Sequence, residues 1–294
     1  MEFQSPGAIL FHLGPITVRW YGIMVALGFL AATSAATRLA KRWEYAQSKG
    51  AEGENCSLSG GKTLTGFEDK IVNLALLCFV GGIIGARLYF VALSWPQFAN
   101  NPSEILFSAK EGLSIRGLSI HGGIIGALIV AMTYCWRVGL PLLTSCDLIA
   151  TALPLGQAIG RWGNFFNSEA FGRPVSEHFP LKLFIPPDQR PILFSNFEYF
   201  HPTFLYESIW DLALFLILYN YAADKLRKYP GLTACVYLAG YSIGRLLIEP
   251  IRVDSIMLAS GMPVPIVASG IMLAIALMGM LIILMRNRAR PAQQ

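Results

Sequence analysis

Runs of mostly apolar residues, separated by shorter polar stretches, recur along almost the whole 294-residue chain. A helix needs roughly 20 such residues to cross a hydrocarbon core of about 30 Å. About seven stretches reach that length: Trp20 to Ala40, Ile71 to Leu93, Leu118 to Trp136, Cys146 to Asn167, Thr203 to Ala223, Leu232 to Glu249, and Pro265 to Met285. The pattern predicts an all-α polytopic membrane protein, with residues 1–294 forming one integral membrane domain. No basic segment precedes the first stretch and six more follow it, so it is expected to be a retained span rather than a cleaved signal peptide.

Two polar stretches interrupt the pattern at length. Glu44 to Lys70 is rich in Gly, Ser and Lys and has no hydrophobic period, so it reads as a flexible loop, residues 44–70. Gly172 to His201 mixes prolines with aromatics, as in Ile185-Pro186-Pro187 and Phe197-Glu198-Tyr199-Phe200. It predicts a small ordered cap over residues 171–202. One hexamer repeats: Gly81-Gly82-Ile83-Ile84-Gly85-Ala86 returns as Gly122-Gly123-Ile124-Ile125-Gly126-Ala127. Small residues four apart let helix backbones approach closely in a bilayer, and Gly156-x3-Gly160 has the same spacing. Beyond the hexamer no repeat supports an inverted-repeat transporter.

Composition agrees with the pattern. Hydrophobic residues make up 54% of the chain and charged ones 14%, which suits a chain solvated by lipid. The net charge of +5 is unevenly placed. Most basic residues, among them Arg38, Lys41, Arg42, Lys225, Arg227, Arg286 and Arg288, follow odd-numbered spans, so the positive-inside rule puts the C-terminus in the cytoplasm and the N-terminus outside. The cap then faces outward and the 44–70 loop inward. The five cysteines form no CxxC pair, and the four histidines form no HxxxH or HExxH pattern, so neither a disulfide framework nor a metal site is expected.

The chemistry lies in charged residues inside apolar spans, because each costs at least about 2.5–3.5 kcal/mol to place at the bilayer centre. Arg87, Arg161 and Arg245 are such residues. Arg161 has no carboxylate within one turn and needs a distant partner or an anionic ligand. A lipid phosphate suits its forked guanidinium. Arg245 lies four residues before Glu249, where a structural ion pair is the plain alternative to a functional role. Tyr241 falls on the same helix face. His121 stands at the start of the second glycine hexamer; membrane histidines commonly serve packing, but an imidazole pKa of about 6.5 suits a general base. Tyr21, His201, Tyr206 and Glu207 sit near span ends, where tyrosines often serve as interfacial anchors.

In order along the chain, Arg19-Trp20-Tyr21-Gly22, Ser119-Ile120-His121-Gly122-Gly123, Gly160-Arg161-x-Gly163-Asn164-x2-Asn167-x-Glu169-x2-Gly172-Arg173, His201-Pro202-Thr203-Phe204-Leu205-Tyr206-Glu207 and Gly240-Tyr241-Ser242-Ile243-Gly244-Arg245 resemble the prolipoprotein diacylglyceryl transferases. That family moves a diacylglyceryl group from phosphatidylglycerol to the lipobox cysteine in the signal peptide of a prolipoprotein, forming a thioether and releasing glycerol phosphate. The resemblance implies seven spans, an active site on the periplasmic side of the bacterial plasma membrane, and no cofactor. Phosphatidylglycerol, prolipoprotein signal peptides and the bilayer are the implied partners; nucleic acid is not. Catalytic roles would fall to His121, Arg161, Arg245 and Tyr241. Substrate binding would fall to Tyr21, Arg161, Asn164, Asn167, Glu169, Glu207, Arg245 and Glu249. A transporter or channel for an anionic solute is the alternative that buried arginines beside glycine-rich helices also allow.

Overall fold

The computed structural model describes residues 1–14, 16–50, 66–99, 119–259 and 261–288. Its helices are α1 (Trp20–Gly50), α2 (Phe67–Leu93), the short α3 (Trp95–Phe98), α4 (Ile120–Val138), α5 (Leu142–Asn167), α6 (Thr203–Ile217), the short α7 (Ala223–Leu226), α8 (Leu232–Ile248) and α9 (Val264–Arg288). Its strands are β1 (Glu2–Gln4), β2 (Ile9–Leu13), β3 (Ile16–Arg19), β4 (Lys182–Phe184) and β5 (Tyr199–Phe200). The strands are an addition to the helical expectation.

Among the described residues, six helices are long and apolar enough to cross a membrane: α1, α2, α4, α5, α8 and α9. The expected span over Thr203–Ala223 is built differently. At about 1.5 Å per residue α6 reaches only roughly 22 Å, and the helix continues through a π-turn at Leu218–Ala222 into α7. A π-turn inserts an extra residue into the helical ladder, which hydrophobic periodicity does not register. Outward faces are apolar: Leu76, Val80 and Leu88 on α2, Ile124 and Leu128 on α4, and Ile275, Met278 and Leu281 on α9 are all exposed. So much exposed aliphatic surface would be anomalous in water and is ordinary against lipid. The chain is therefore a multi-pass membrane protein.

The chain divides into two compact units. One comprises Ile9–Val18 and Ala40–Ser145, and its centre is the α2–α4 pair. The repeated hexamers meet there. A Cβ on Gly85 would come 2.4 Å from the Gly122 carbonyl oxygen, and one on Gly126 would come 2.4 Å from that of Gly81. Each glycine admits the other helix's backbone, as their spacing predicted. Arg87 stacks its guanidinium on the rings of Phe90 and Phe98, 5.8 and 5.3 Å from their centroids. Part of the 44–70 stretch is helix, since α1 runs to Gly50 and α2 starts at Phe67. Lys41 pairs with Glu68 at 2.8 Å, and Glu44 accepts the Gly66 amide at 2.9 Å. Residues 51–65 lie outside the described residues.

The other unit comprises Met1–Ala8, Arg19–Leu39 and Cys146–Gln294. Here Gly156 packs on Gly28, whose carbonyl oxygen a Cβ would approach to 3.1 Å, whereas a Cβ on Gly160 would meet open space. Of that expected pair, the first glycine seals a helix contact and the second does not. Residues 171–202 are ordered: β4 pairs parallel with β1 and antiparallel with β5, in the order β1-β4-β5. The sheet and the chain around it bury Phe165, Phe171, Leu183, Ile185, Phe200 and Phe204 as one core. Burial of one such side chain contributes about 1.5–3 kcal/mol. That core joins the end of α5 to the start of α6, so it fixes the two helices that carry Arg161 and Glu207.

Candidate active site

Arg161 lies near the end of α5, the most enclosed of the six spans, with half of its most apolar window buried. A cation there needs compensation, and α6 supplies it. Arg161 Nε stands 2.7 Å from Glu207 Oε2 and 3.9 Å from Asp211 Oδ2. Both carboxylates are buried, and their i,i+4 spacing puts them on one face of α6. The partner that Arg161 required is thus a distant one.

Glu207 is the hub. Its Oε1 accepts from Arg245 Nη1 at 2.9 Å and from Arg252 Nη1 at 3.3 Å. Arg245 also pairs with Glu249 one turn on, so the plain ion-pair alternative holds alongside the contact to Glu207. Glu249 accepts a further bond from the Ser255 hydroxyl at 2.6 Å. Arg252 forks onto Asp254 with bonds of 3.0 and 2.9 Å. Three guanidiniums therefore converge on one carboxylate, with Tyr241 of α8 lining the same spot as Arg245. The space lined by Arg161, Glu207, Asp211, Tyr241 and Arg245 is about 10 Å³, room for about one water. A phosphate group enters only if the side chains move apart.

Asp211 and Arg252 were not among the expected site residues. Asp211 had a visible signal, a second acid at i+4 from Glu207 inside an apolar stretch. Arg252 reads as an ordinary loop charge; only the fold turns it back onto Glu207. Beside the cluster, the Tyr237 hydroxyl donates to Gln157 Oε1 at 3.1 Å, and its ring lies 6.1 Å from that of Tyr241.

The Gly160–Arg173 motif ends α5 in a tight reversal. Ser168 takes φ 51°, a left-handed helix stop, and the Glu169 amide bonds back to the Asn164 carbonyl at 3.0 Å. This brings the Glu169 carboxylate onto the side-chain amides of Asn164 and Asn167, at 2.9 and 3.2 Å. Gly163 is fixed by close approach: a Cβ there would come 2.7 Å from Cδ2 of Tyr21. Tyr21 thus lies on α5 within the motif, and Trp20 stacks on Phe166 at 4.5 Å.

His201 stands just before α6, with its Nδ1 3.1 Å from the Tyr206 hydroxyl. Partial burial holds its pKa below the ordinary imidazole value, favouring the neutral ring. Thr203 donates to the Ala170 carbonyl, tying the start of α6 to the motif's reversal. His121 belongs to the other unit, where it is exposed in the first turn of α4, its ring 6.3 Å from that of Tyr89. The structure thus gathers Arg161, Glu207, Tyr241, Arg245 and Glu249 in one cluster, and Asn164, Asn167 and Glu169 in a second on the same helix end.

Comparison with known proteins gives one consistent result. A family model described as prolipoprotein diacylglyceryl transferase matches residues 8–282. Among curated relatives, a phosphatidylglycerol–prolipoprotein diacylglyceryl transferase of Nostoc sp. is 41% identical over 293 residues, covering 98% of this chain and 93% of its own length. The protein of that name from Synechococcus elongatus is 41% identical over 264 residues, 88% of this chain and 82% of its own length. The one from Staphylococcus aureus is 38% identical over 278 residues, 94% and 88% of the two chains.

Proposed function

The chain belongs to the prolipoprotein diacylglyceryl transferase family, and we propose from that premise that it moves the diacylglyceryl group of phosphatidylglycerol to the lipobox cysteine of prolipoprotein signal peptides. The observation that carries this reading is the convergence of Arg161, Arg245 and Arg252 on Glu207 within apolar helices. A transporter of an anionic solute would also employ buried arginines, but the family match over most of the chain favours the transferase.

The reaction joins the cysteine sulfur to the terminal glyceryl carbon while that carbon's bond to the phosphate oxygen breaks. The bonding pair leaves on the phosphate, and the thiol proton goes to a base. Atoms and charge balance without an oxidant or cofactor. A thiol with pKa near 8.5 must first become thiolate. His121, an imidazole at a helix start, is the proposed base. Negative charge grows on the leaving phosphate, and guanidiniums held in place by buried carboxylates stabilise it without reorganising a solvent shell. Arg161 and Arg245 form that clamp, with the Tyr241 hydroxyl beside them. Tyr21, Asn164, Asn167 and Glu169 would bind the headgroup, with Glu207 and Glu249 orienting the arginines.

In this reading Thr203–Leu226 is the seventh span, crossing with its π-turn inside the bilayer. The N-terminus and the 171–202 cap face the periplasm of the bacterial inner membrane, and the C-terminus and the 44–70 loop face the cytoplasm. The distribution of basic residues supports this orientation. The test is release of glycerol phosphate from phosphatidylglycerol vesicles by purified protein with and without a lipobox peptide. Peptide-dependent release that Arg245→Gln reduces at least about a hundredfold supports the clamp. Release that ignores the peptide, or an unimpaired variant, refutes it.

A further inference from the structure

The charge balance of the cluster singles out a residue that the clamp itself does not use. Asp211 is buried one turn beyond Glu207 on α6, its Oδ2 takes no hydrogen bond, and Arg161 is 3.9 Å away. The groups that act on it are Arg161 from α5, Arg245 and the phenols of Tyr237 and Tyr241 from α8, and Glu207 on its own helix. The three guanidiniums already face Glu207, Glu249 and the rim carboxylate Asp254 through close contacts. Glu207 accepts hydrogen bonds from two of them. An ionised Asp211 makes a fourth carboxylate against three cations, and an arriving phosphodiester adds another negative charge. Where the dielectric is low, such an excess drives the least-bonded carboxyl to take up a proton.

We infer that Asp211 is a proton-holding positioning residue, neutral whenever an anionic phosphodiester headgroup occupies the arginine cluster. It takes up a proton as the headgroup enters and gives it back as the phosphate product leaves. The inference rests on the diacylglyceryl-transfer reading above and adds a pH-dependent control of headgroup affinity to it. Neutral Asp211 also leaves Arg161 freer to turn from Glu207 toward phosphate.

Binding tests this directly. Fluorescent phosphatidylglycerol is titrated into the full chain held in phosphatidylcholine nanodiscs, from mildly acidic to mildly alkaline pH. In the wild type, affinity should fall as pH rises, approaching tenfold per pH unit once Asp211 must be protonated to bind. Asp211→Asn should flatten that dependence, because an amide is neutral throughout, and Asp211→Glu should restore a slope. A wild type with no slope, an Asn variant with the wild-type slope, or an Asn variant that is folded but binds nothing each overturns the role. If the wild type binds and transfers no phosphatidylglycerol at any pH, the function reading fails as well. Slope outcomes bear on Asp211 alone.

Discussion

Arg161 and His201 show how differently single side chains can matter here. Arg161 touches two buried acids, so removing it leaves uncompensated charge, at about 3–5 kcal/mol. Arg161→Ala therefore confounds folding with catalysis. Arg161→Lys keeps the charge and should keep the protein folded, yet lose transfer by about tenfold or more, since an ammonium lacks the planar fork. Wild-type turnover with lysine would reduce Arg161 to a counter-ion. His201 acts on stability instead. Its depressed pKa means that the unfolded chain binds its proton more readily, so the contribution is complete above pH about 6.5 and is lost as pH falls from there through the lower folded-state value. Corrected for the intrinsic exchange rate, which itself slows on acidification, the protection of the β4 and β5 amides should drop between pH 7 and 5, and His201→Gln should blunt the drop. Much of this scale was legible: Arg161, Arg245, Glu249 and Tyr241 follow from charge in an apolar run and helical spacing. Arg252 was not, because its role depends on a chain reversal that places it on Glu207.

Between elements, two contacts decide how the helices are set. The α2–α4 seam rests on glycines at van der Waals limits, so Gly126→Val must push the helices apart. Overpacking of this kind costs about 1–3 kcal/mol and should lower the melting temperature in detergent. Gly139→Ala, at the left-handed end of α4 in open space, is a control that should act on the helix end alone. The second contact is Asp147 of α5. Buried, it accepts the Gly231 and Ala234 amides at 2.6 and 2.8 Å and so caps the N-terminus of α8, the helix that carries Tyr241 and Arg245. Asp147→Ala should cost about 1–3 kcal/mol, read as earlier thermal unfolding in detergent. The glycine seam was visible as a repeated hexamer. The cap was not, since its two halves lie far apart in sequence and a lone aspartate near a span end gives no sign of its acceptor role.

Across the whole molecule, apolar run length carried the architecture, and the ordered motifs carried the family. The spans came out where runs of apolar residues are uninterrupted. The exception is the helix from Thr203, where the π-turn divides one apolar run into two elements. The small sheet was hidden because β1 and β4 pair across 180 residues and each strand is too short for an alternating pattern. The central claim concerns the finished product, and mass spectrometry reads it most directly. Purified protein in phosphatidylglycerol nanodiscs is incubated with a lipobox peptide, and the peptide is weighed. The account predicts a gain of one diacylglyceryl group, confined to the cysteine, requiring phosphatidylglycerol and absent from a Cys→Ser peptide. An unmodified peptide, under conditions where the Staphylococcus aureus relative modifies it, would contradict the account.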